Sequence, residues 1–349
     1  MVKVDRLPSG SYRARALDYT DPDGKAHYRS FTGKNKKTVQ LEAAQFEASR
    51  KGTDRRIDMT VGEALERCIE AKANVISPST LVAYRAYKNN YLGGLQAIKL
   101  SELTQEDVQV AINVEAARVS PKTIRNVHGL LSAAIKMFRP EMSLYTTLPQ
   151  KEKPDITIPT EEHMISLFRE TKGTEIEIPV LLGAVAGMRL SEIVGLKWEN
   201  IDFKKGAIKV CSAIVRGENN STVEKKPKTT AGFRVFGVPP HLIDVLKEAY
   251  DPEKVYVTSL GSRVIYGRYV AVLKRVCPEA HYTFHELRHY AASVMIMLGI
   301  PVKYIADMLG HETEDMVNRV YGHIMQDKKD MVSERLNLYY KDVFQRCNF

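Results

Sequence analysis

The stretch LPQKEKPDITIP, residues 148–159, limits this chain more than any other, because three prolines and alternating charge let neither a helix nor a central strand run through it. It is the best linker candidate. A chain of 349 residues exceeds one ordinary domain, so two or three units are expected, each able to bury its own core.

Two patterns succeed each other before the linker. Residues 1–57 read as a small β-rich unit followed by one helix: Tyr12, Ala14 and Ala16 alternate with Arg13 and Arg15, the turn DPDG (Asp21 to Gly24) follows, and AHYRSF makes the second strand. Thr38 can cap a helix whose Val39, Ala43 and Phe46 share a face. Over residues 58–147 the period becomes helical. Thr60 with Glu63 makes a capping box, Ser77-Pro78 and Ser120-Pro121 each set a cap before a first-turn proline, and Thr104 caps another, giving four helices of ordinary length. Residues 160–349 mix helices, near 161–170 and 175–187, with strand candidates in AIKVCSAIV and across a KKPKTTAGFRVFGV hairpin, and end in helices. The expected fold class is α+β.

Charge is the first functional hint. The 51 Lys and Arg exceed the 42 Asp and Glu, and the formal net charge of +9 suits a polyanion such as nucleic acid or an acidic membrane surface. Residues 1–57 hold 13 basic against 7 acidic side chains. Arg13, Arg15, Lys34, Lys36 and Lys37 in that segment, with Arg85, Lys88 and Arg125 on the helices, are the candidate DNA contacts, although a solvated surface accounts for each one taken alone. Cys68, Cys211, Cys277 and Cys347 lie far apart without metal-type spacing, which points to reduced thiols in a cytosol. The run from Ile178 to Met188 is too short for a membrane span and contains Pro179, so no membrane partner is expected.

The last domain carries the chemistry. HELRH, residues 285–289, fits the H-E-x-x-H pattern of zinc metalloproteases, with Glu312 or Glu314 as a distant third ligand. The longer H-E-x-x-H-x-x-G-x-x-H pattern fails, because Ala292 and Met295 stand where glycine and histidine belong. The same residues are also a His-x-x-Arg pair: His285 and Arg288 share a helix face at i, i+3 and can meet one phosphate. Arg189 follows an apolar helix, where a charge is costly unless paired or bound to an anion. His311 follows a glycine turn, Tyr321 comes ten residues later, and Lys228 sits in a hairpin loop. Each alone has a bland account: an Arg189–Glu192 ion pair, a capping histidine, an interfacial tyrosine, a hairpin lysine.

Together AGMRLSE, PKT, HELRH, LGHE and VYGH, in this order and with comparable spacing, resemble the tyrosine recombinase or phage integrase family, whose pattern is Arg, Lys, His-x-x-Arg, His, Tyr. The resemblance is strongest over residues 160–325 and covers nearly the whole chain. It implies a β-sheet arm-binding domain at 1–57, a helical core-binding domain at 58–147, a linker at 148–159 and a mixed α/β catalytic domain at 160–349 that ends in a tail helix. It further implies a site-specific DNA recombinase, the integrase of a phage or integrative conjugative element, with Arg189, Lys228, His285, Arg288, His311 and Tyr321 as catalytic residues. Tyr321 would attack DNA to form a 3′-phosphotyrosine, Arg189 and Arg288 would hold the phosphate, both histidines would assist proton transfer, and Lys228, or else Lys226 or Lys225, would protonate the leaving oxygen. Neither metal nor other cofactor is implied. The implied partners are double-stranded DNA at core and arm sites, three more copies of the chain in a tetramer, a DNA-bending protein and an excision factor, all in the cytoplasm of a bacterial host. A type IB topoisomerase shares this chemistry and is the nearest alternative. A DNA-binding protein with an inactive catalytic fold is a third.

Overall fold

The computed structural model describes residues 3–20, 26–57, 59–152, 157–227 and 230–318, which divide into two compact units, residues 1–152 and 153–349. The amino-terminal unit begins with an antiparallel sheet of β1 (Val4–Arg6), β2 (Tyr12–Thr20) and β3 (Ala26–Gly33) in that order, covered by α1 (Lys36–Ile57). The register pairs Ala14 with Phe31, and the inner-face Ala14 pairs its burial with Val39 and Ala43 of the helix. Asn35, and not Thr38, caps α1: its Oδ1 accepts from the N–H of Lys37 at 2.9 Å and of Thr38 at 3.4 Å. An amide oxygen three residues earlier reaches the same orphan donors, so the helix starts sooner than the Thr38 reading allows. The DPDG turn lies largely outside the described residues.

The helices that follow are α2 (Val61–Lys72), α3 (Pro78–Asn90), α4 (Gly93–Gln96), α5 (Gln105–Ala116) and α6 (Pro121–Phe138). Their starts follow the caps in the sequence: Thr60 and Thr104 close capping boxes with Glu63 and Asp107, and Ser77 and Ser120 accept from the N–H groups of Thr80 and Thr123. The single turn α4 has no sequence signal. It follows Leu92 at φ 57, a left-handed residue whose N–H is held by the buried Glu115 carboxylate at 2.9 Å. Leu65, Ile69, Leu131 and Ile135 are buried in the core of this bundle. Leu148 packs on that core and Pro149 accepts a hydrogen bond from Arg125 at 2.5 Å, so the start of the proline-rich stretch is tied to the amino-terminal unit.

The carboxy-terminal unit opens with α7 (Glu161–Thr171), α8 (Glu177–Ala184) and α9 (Leu190–Val194). Next come β4 (Ile201–Asp202), β5 (Ala207–Val210), β6 (Ala213–Arg216), β7 (Thr222–Lys225) and β8 (Arg234–Gly237). The unit continues through α10 (Pro240–Glu248), α11 (Ser262–Val276), α12 (Phe284–Met297) and α13 (Val302–Leu309). Buried Val180, Leu182 and Leu287 bring α8 and α12 into one core, where a Cβ on Gly183 would meet Phe284 and Leu287 at 3.1 and 3.3 Å. The expected strand AIKVCSAIV is two strands in two sheets, β4-β5-β8 and β6-β7, because the chain breaks at Cys211-Ser212 and the Ser212 hydroxyl donates to the Gly195 carbonyl at 2.9 Å. The expected KKPKTTAGFRVFGV hairpin is likewise absent: β7 pairs with β6 and β8 with β5, each flank finding a different partner. Helix α8 ends at Ala184, short of the expected 187, and Gly187 then turns the chain at φ +62. Residues 319–349, with Tyr321 and the expected tail helix, lie outside the described residues, as do Lys228 and Thr229.

Candidate active site

A helix end builds the site. Helix α13 stops at Gly310, φ +65, and the His311 N–H closes back on the Ala306 carbonyl at 2.9 Å. The last carbonyls of a helix have no partner within it and carry the negative end of its dipole. Here three successive carbonyls take three different guanidiniums. Arg234 Nε donates to Met308 at 2.7 Å, Arg288 Nη2 donates to Leu309, and Arg189 Nη2 donates to Gly310 at 3.3 Å. Arg288 Nη1 also donates to the Gly187 carbonyl at 2.8 Å, joining the AGMR turn to α12.

Both turns require glycine. A Cβ on Gly310 would stand 2.9 Å from the Ala231 carbonyl and from Arg234 Nη1, and one on Gly187 would stand 2.5 Å from Leu309 Cδ2. Gly310→Ala is therefore expected to cost about 1–3 kcal/mol through left-handed strain alone, with the clash added. Urea unfolding checks this, and an unchanged midpoint would contradict it.

Arg189 starts α9 and Glu192 closes the capping box there, accepting the Arg189 N–H at 2.9 Å and its Nη1 at 2.8 Å. Glu192 is buried, and Arg234 meets it as a fork, Nη1 to Oε1 at 3.1 Å and Nη2 to Oε2 at 2.7 Å. Burial by itself would raise the Glu192 pKa, but hydrogen bonding and charge from Arg234, then the charge and N–H of Arg189, bring it down to about 2. A carboxylate so held stays ionised and orients arginine rather than acting as an acid.

His311 Nε2 accepts from Arg288 Nη2 at 2.8 Å. Desolvation first, then the charges of Arg288, Arg189 and Arg234, lowers the His311 pKa to about 4, so the ring is neutral at pH 7 with its proton on Nδ1. That Nδ1 is buried and has no partner among the described residues. His285 lies one turn before Arg288 on α12; desolvation and then the charges of Arg288 and Arg189 lower its pKa as well.

The HELRH helix uses its other residues structurally. Glu286 closes the capping box with Thr283 at the start of α12, and the His289 ring meets the His285 ring edge to face, 5.0 Å between centroids. No group of three or more metal-type side chains able to hold an ion occurs among the described residues. Desolvation, then His285 and Arg288, lowers the His289 pKa to about 4.

These shifts set a pH response. His289 and His311 fold with pKa values of about 4 against 6.5 for an open histidine, so below pH 6.5 the unfolded chain binds protons that the folded one refuses. Their contribution is complete above that pH and is lost as pH falls towards 4. Urea midpoints are expected to drop between about pH 7 and about pH 5, and replacing both residues by asparagine should flatten the slope. An unchanged slope would refute this account.

The structure thus gathers Arg189, Arg288 and His311 at the end of α13, with His285 one turn before Arg288 on α12, and Lys228 and Tyr321 fall outside the described residues. Of the alternative lysines, Lys225 ends β7 and Lys226 follows it on the surface. Sequence reading missed Arg234. Its signal is positional: β8 buries Arg234 and Phe236 on one face and leaves Val235 exposed, so the period-2 register puts a charge inside. Among the candidate DNA contacts, Arg15 on β2 and Lys34, Lys36 and Lys37 at the start of α1 are exposed, and Arg13 is half-buried. Arg85 and Lys88 on α3 both pair with Glu66 of α2, whose pKa is lowered first by the Lys88 hydrogen bond.

Residues 160–328 match the phage integrase family. Over 93% of its length the chain is 25% identical to a XerC-like tyrosine recombinase of Caldanaerobacter subterraneus subsp. tengcongensis, covering 95% of that protein. It is 24% identical to the prophage integrase IntR of Escherichia coli K12, over 62% of this chain and 61% of that one. The chain carries a phage integrase domain of the tyrosine recombinase type over residues 160–328. It is accordingly a site-specific recombinase, an enzyme that cleaves and rejoins DNA. The recombinase shares its fold with the Tn1549 transposon integrase bound to transposon right-end DNA, at 19% identity and a TM-score of 0.62 over 80% of this chain and 99% of that one. A lambda integrase tetramer bound to a Holliday junction matches with a TM-score of 0.58 and 17% identity over 91% of this chain and 94% of that one. Among its described residues no helix is long and apolar enough to cross a membrane.

Proposed function

We propose that Arg189 and Arg288 hold the scissile phosphate and that Tyr321 attacks it, giving a 3′-phosphotyrosine and a free 5′-hydroxyl. The convergence of Arg189, Arg288 and His311 on the end of α13 carries this reading. A phosphodiester already carries a negative charge and gains more in the transition state, and preorganised guanidiniums stabilise that charge where it develops. The His311 Nδ1–H, free of partners among the described residues, donates to a phosphate oxygen, and His285, neutral at pH 7, takes part in proton transfer from the same side. One of Lys225, Lys226 and Lys228 protonates the leaving 5′ oxygen. The phosphotyrosine conserves the bond energy for rejoining, so strand exchange needs no ATP.

The arrangement supplies its positive charge from side chains, so covalent adduct formation on a core-site duplex is expected to persist in excess EDTA. Complete loss on chelation, restored by metal, would overturn the metal-free reading.

Residues 1–57 serve as the arm-site module, with Arg13, Arg15, Lys34, Lys36 and Lys37 on DNA, and residues 58–147 as the core-site module, with Arg85, Lys88 and Arg125 on its phosphates. Assembly is a tetramer on paired sites, a reading the lambda integrase tetramer supports. The tail helix of residues after Gln326 packs on a neighbouring copy, and a DNA-bending protein and an excision factor set direction. Integration or excision of a mobile element in a bacterial cytoplasm is the biological outcome.

A further inference from the structure

Arg234 stands outside the Arg, Lys, His-x-x-Arg, His, Tyr set of the sequence. Its side chain is 5% exposed, and its three donor nitrogens are spent within the protein, Nε on the Met308 carbonyl and Nη1 and Nη2 on the two oxygens of Glu192. It stands on β8, directly after the loop that contains Lys228, and it touches both α9, where Arg189 begins, and the end of α13, where His311 follows. Its burial is costly unless it does something no apolar residue could do there.

Electrostatics indicates what that is. Glu192 orients Arg189, yet a buried carboxylate at 2.8 Å from Arg189 Nη1 also cancels much of the positive charge that Arg189 would present to DNA. Arg189, Arg288 and Glu192 alone sum to a single positive charge; with Arg234 the cluster carries two. We propose that Arg234 is a positioning residue for strand cleavage: it neutralises Glu192, so that Glu192 can fix Arg189 without removing its charge from the scissile phosphate. The inference rests on the placing of Arg189 at the phosphate in the proposed mechanism. It extends that mechanism to a residue that never meets the substrate.

The test separates charge from packing. Single-turnover adduct formation would be followed in the full-length protein on a core-site duplex whose scissile position is either a phosphate or an uncharged methylphosphonate, at a temperature where each variant is folded by circular dichroism. Arg234→Met should slow cleavage of the phosphate by on the order of 100-fold, with core-site affinity nearly unchanged, and should slow the methylphosphonate far less, since less charge then needs compensating. The double variant Arg234→Met with Glu192→Gln restores the charge sum and should cleave the phosphate faster than Arg234→Met alone. Arg234→Lys, which keeps charge without the fork, should fall between wild type and Arg234→Met, and it carries the test if Arg234→Met does not fold. Equal losses on both substrates, a double variant no faster than the single, or wild-type rates in Arg234→Lys and Arg234→Met would overturn the proposal. Arg189→Ala tests the underlying site separately: undiminished adduct there would show that Arg189 is not at the phosphate, whatever Arg234 does.

Discussion

Replacing Tyr321 with phenylalanine is expected to abolish the covalent protein–DNA adduct, a loss on the order of 10⁴-fold or more, while core-site affinity stays within about threefold. The change removes one oxygen and leaves the ring, so binding, which rests on basic side chains meeting phosphates, is untouched. A phenol is a poor nucleophile at neutral pH, with a pKa near 10, and it gains reactivity only from the site around it. That site is the cluster at the end of α13, ten residues before Tyr321. The measurement is denaturing gel electrophoresis of enzyme trapped on a nicked core-site duplex. Persistence of the adduct in Tyr321→Phe would assign the attack to another residue, with Tyr304, which is exposed, and Tyr290 as the next to test.

Arg288→Ala is expected to have the next largest effect, and on two readouts together. The side chain is 2% exposed and donates to the carbonyls of Gly187 and Leu309 and to His311. Its removal leaves buried acceptors unpaired, a cost of about 2–4 kcal/mol to stability. It also removes one of the charges facing the phosphate, and cleavage should fall on the order of 10³-fold. Arg288→Lys isolates the second effect. A lysine restores charge but cannot serve two carbonyls and an imidazole from one planar fork, so stability should recover in part while cleavage stays low. Urea unfolding and single-turnover cleavage of both variants check this. Wild-type cleavage in Arg288→Lys would show that only charge matters at this position.

How far sequence reading reached follows from the range of each interaction. Caps are local: Thr60, Thr104, Ser77 and Ser120 bond to N–H groups within three residues, and the helices they start were legible. Asn35 is equally local, yet Thr38 stands directly before the Val39, Ala43 and Phe46 face, so an apolar stripe points to Thr38 as the cap. Strand pairing is not local. AIKVCSAIV and its downstream partners look like one strand and one hairpin, yet β5 pairs with β8 and β6 with β7, with the Ser212 bond to Gly195, 17 residues away, at the break between the two sheets.

For the site, the sequence by itself determined which residue types were present and in what order: Arg189, the His285–Arg288 pair on one helix face, and His311 after a glycine turn. Tertiary structure decided what surrounds them. The three guanidiniums on three successive carbonyls come from α9, β8 and α12, elements that no local pattern brings together. The roles of Glu192 and Arg234 and the neutral state of His311 follow from that convergence. Burial and charge act through space, over separations of 42 residues for Glu192 and Arg234 and 121 for Arg189 and Gly310, and a linear reading has no measure of either.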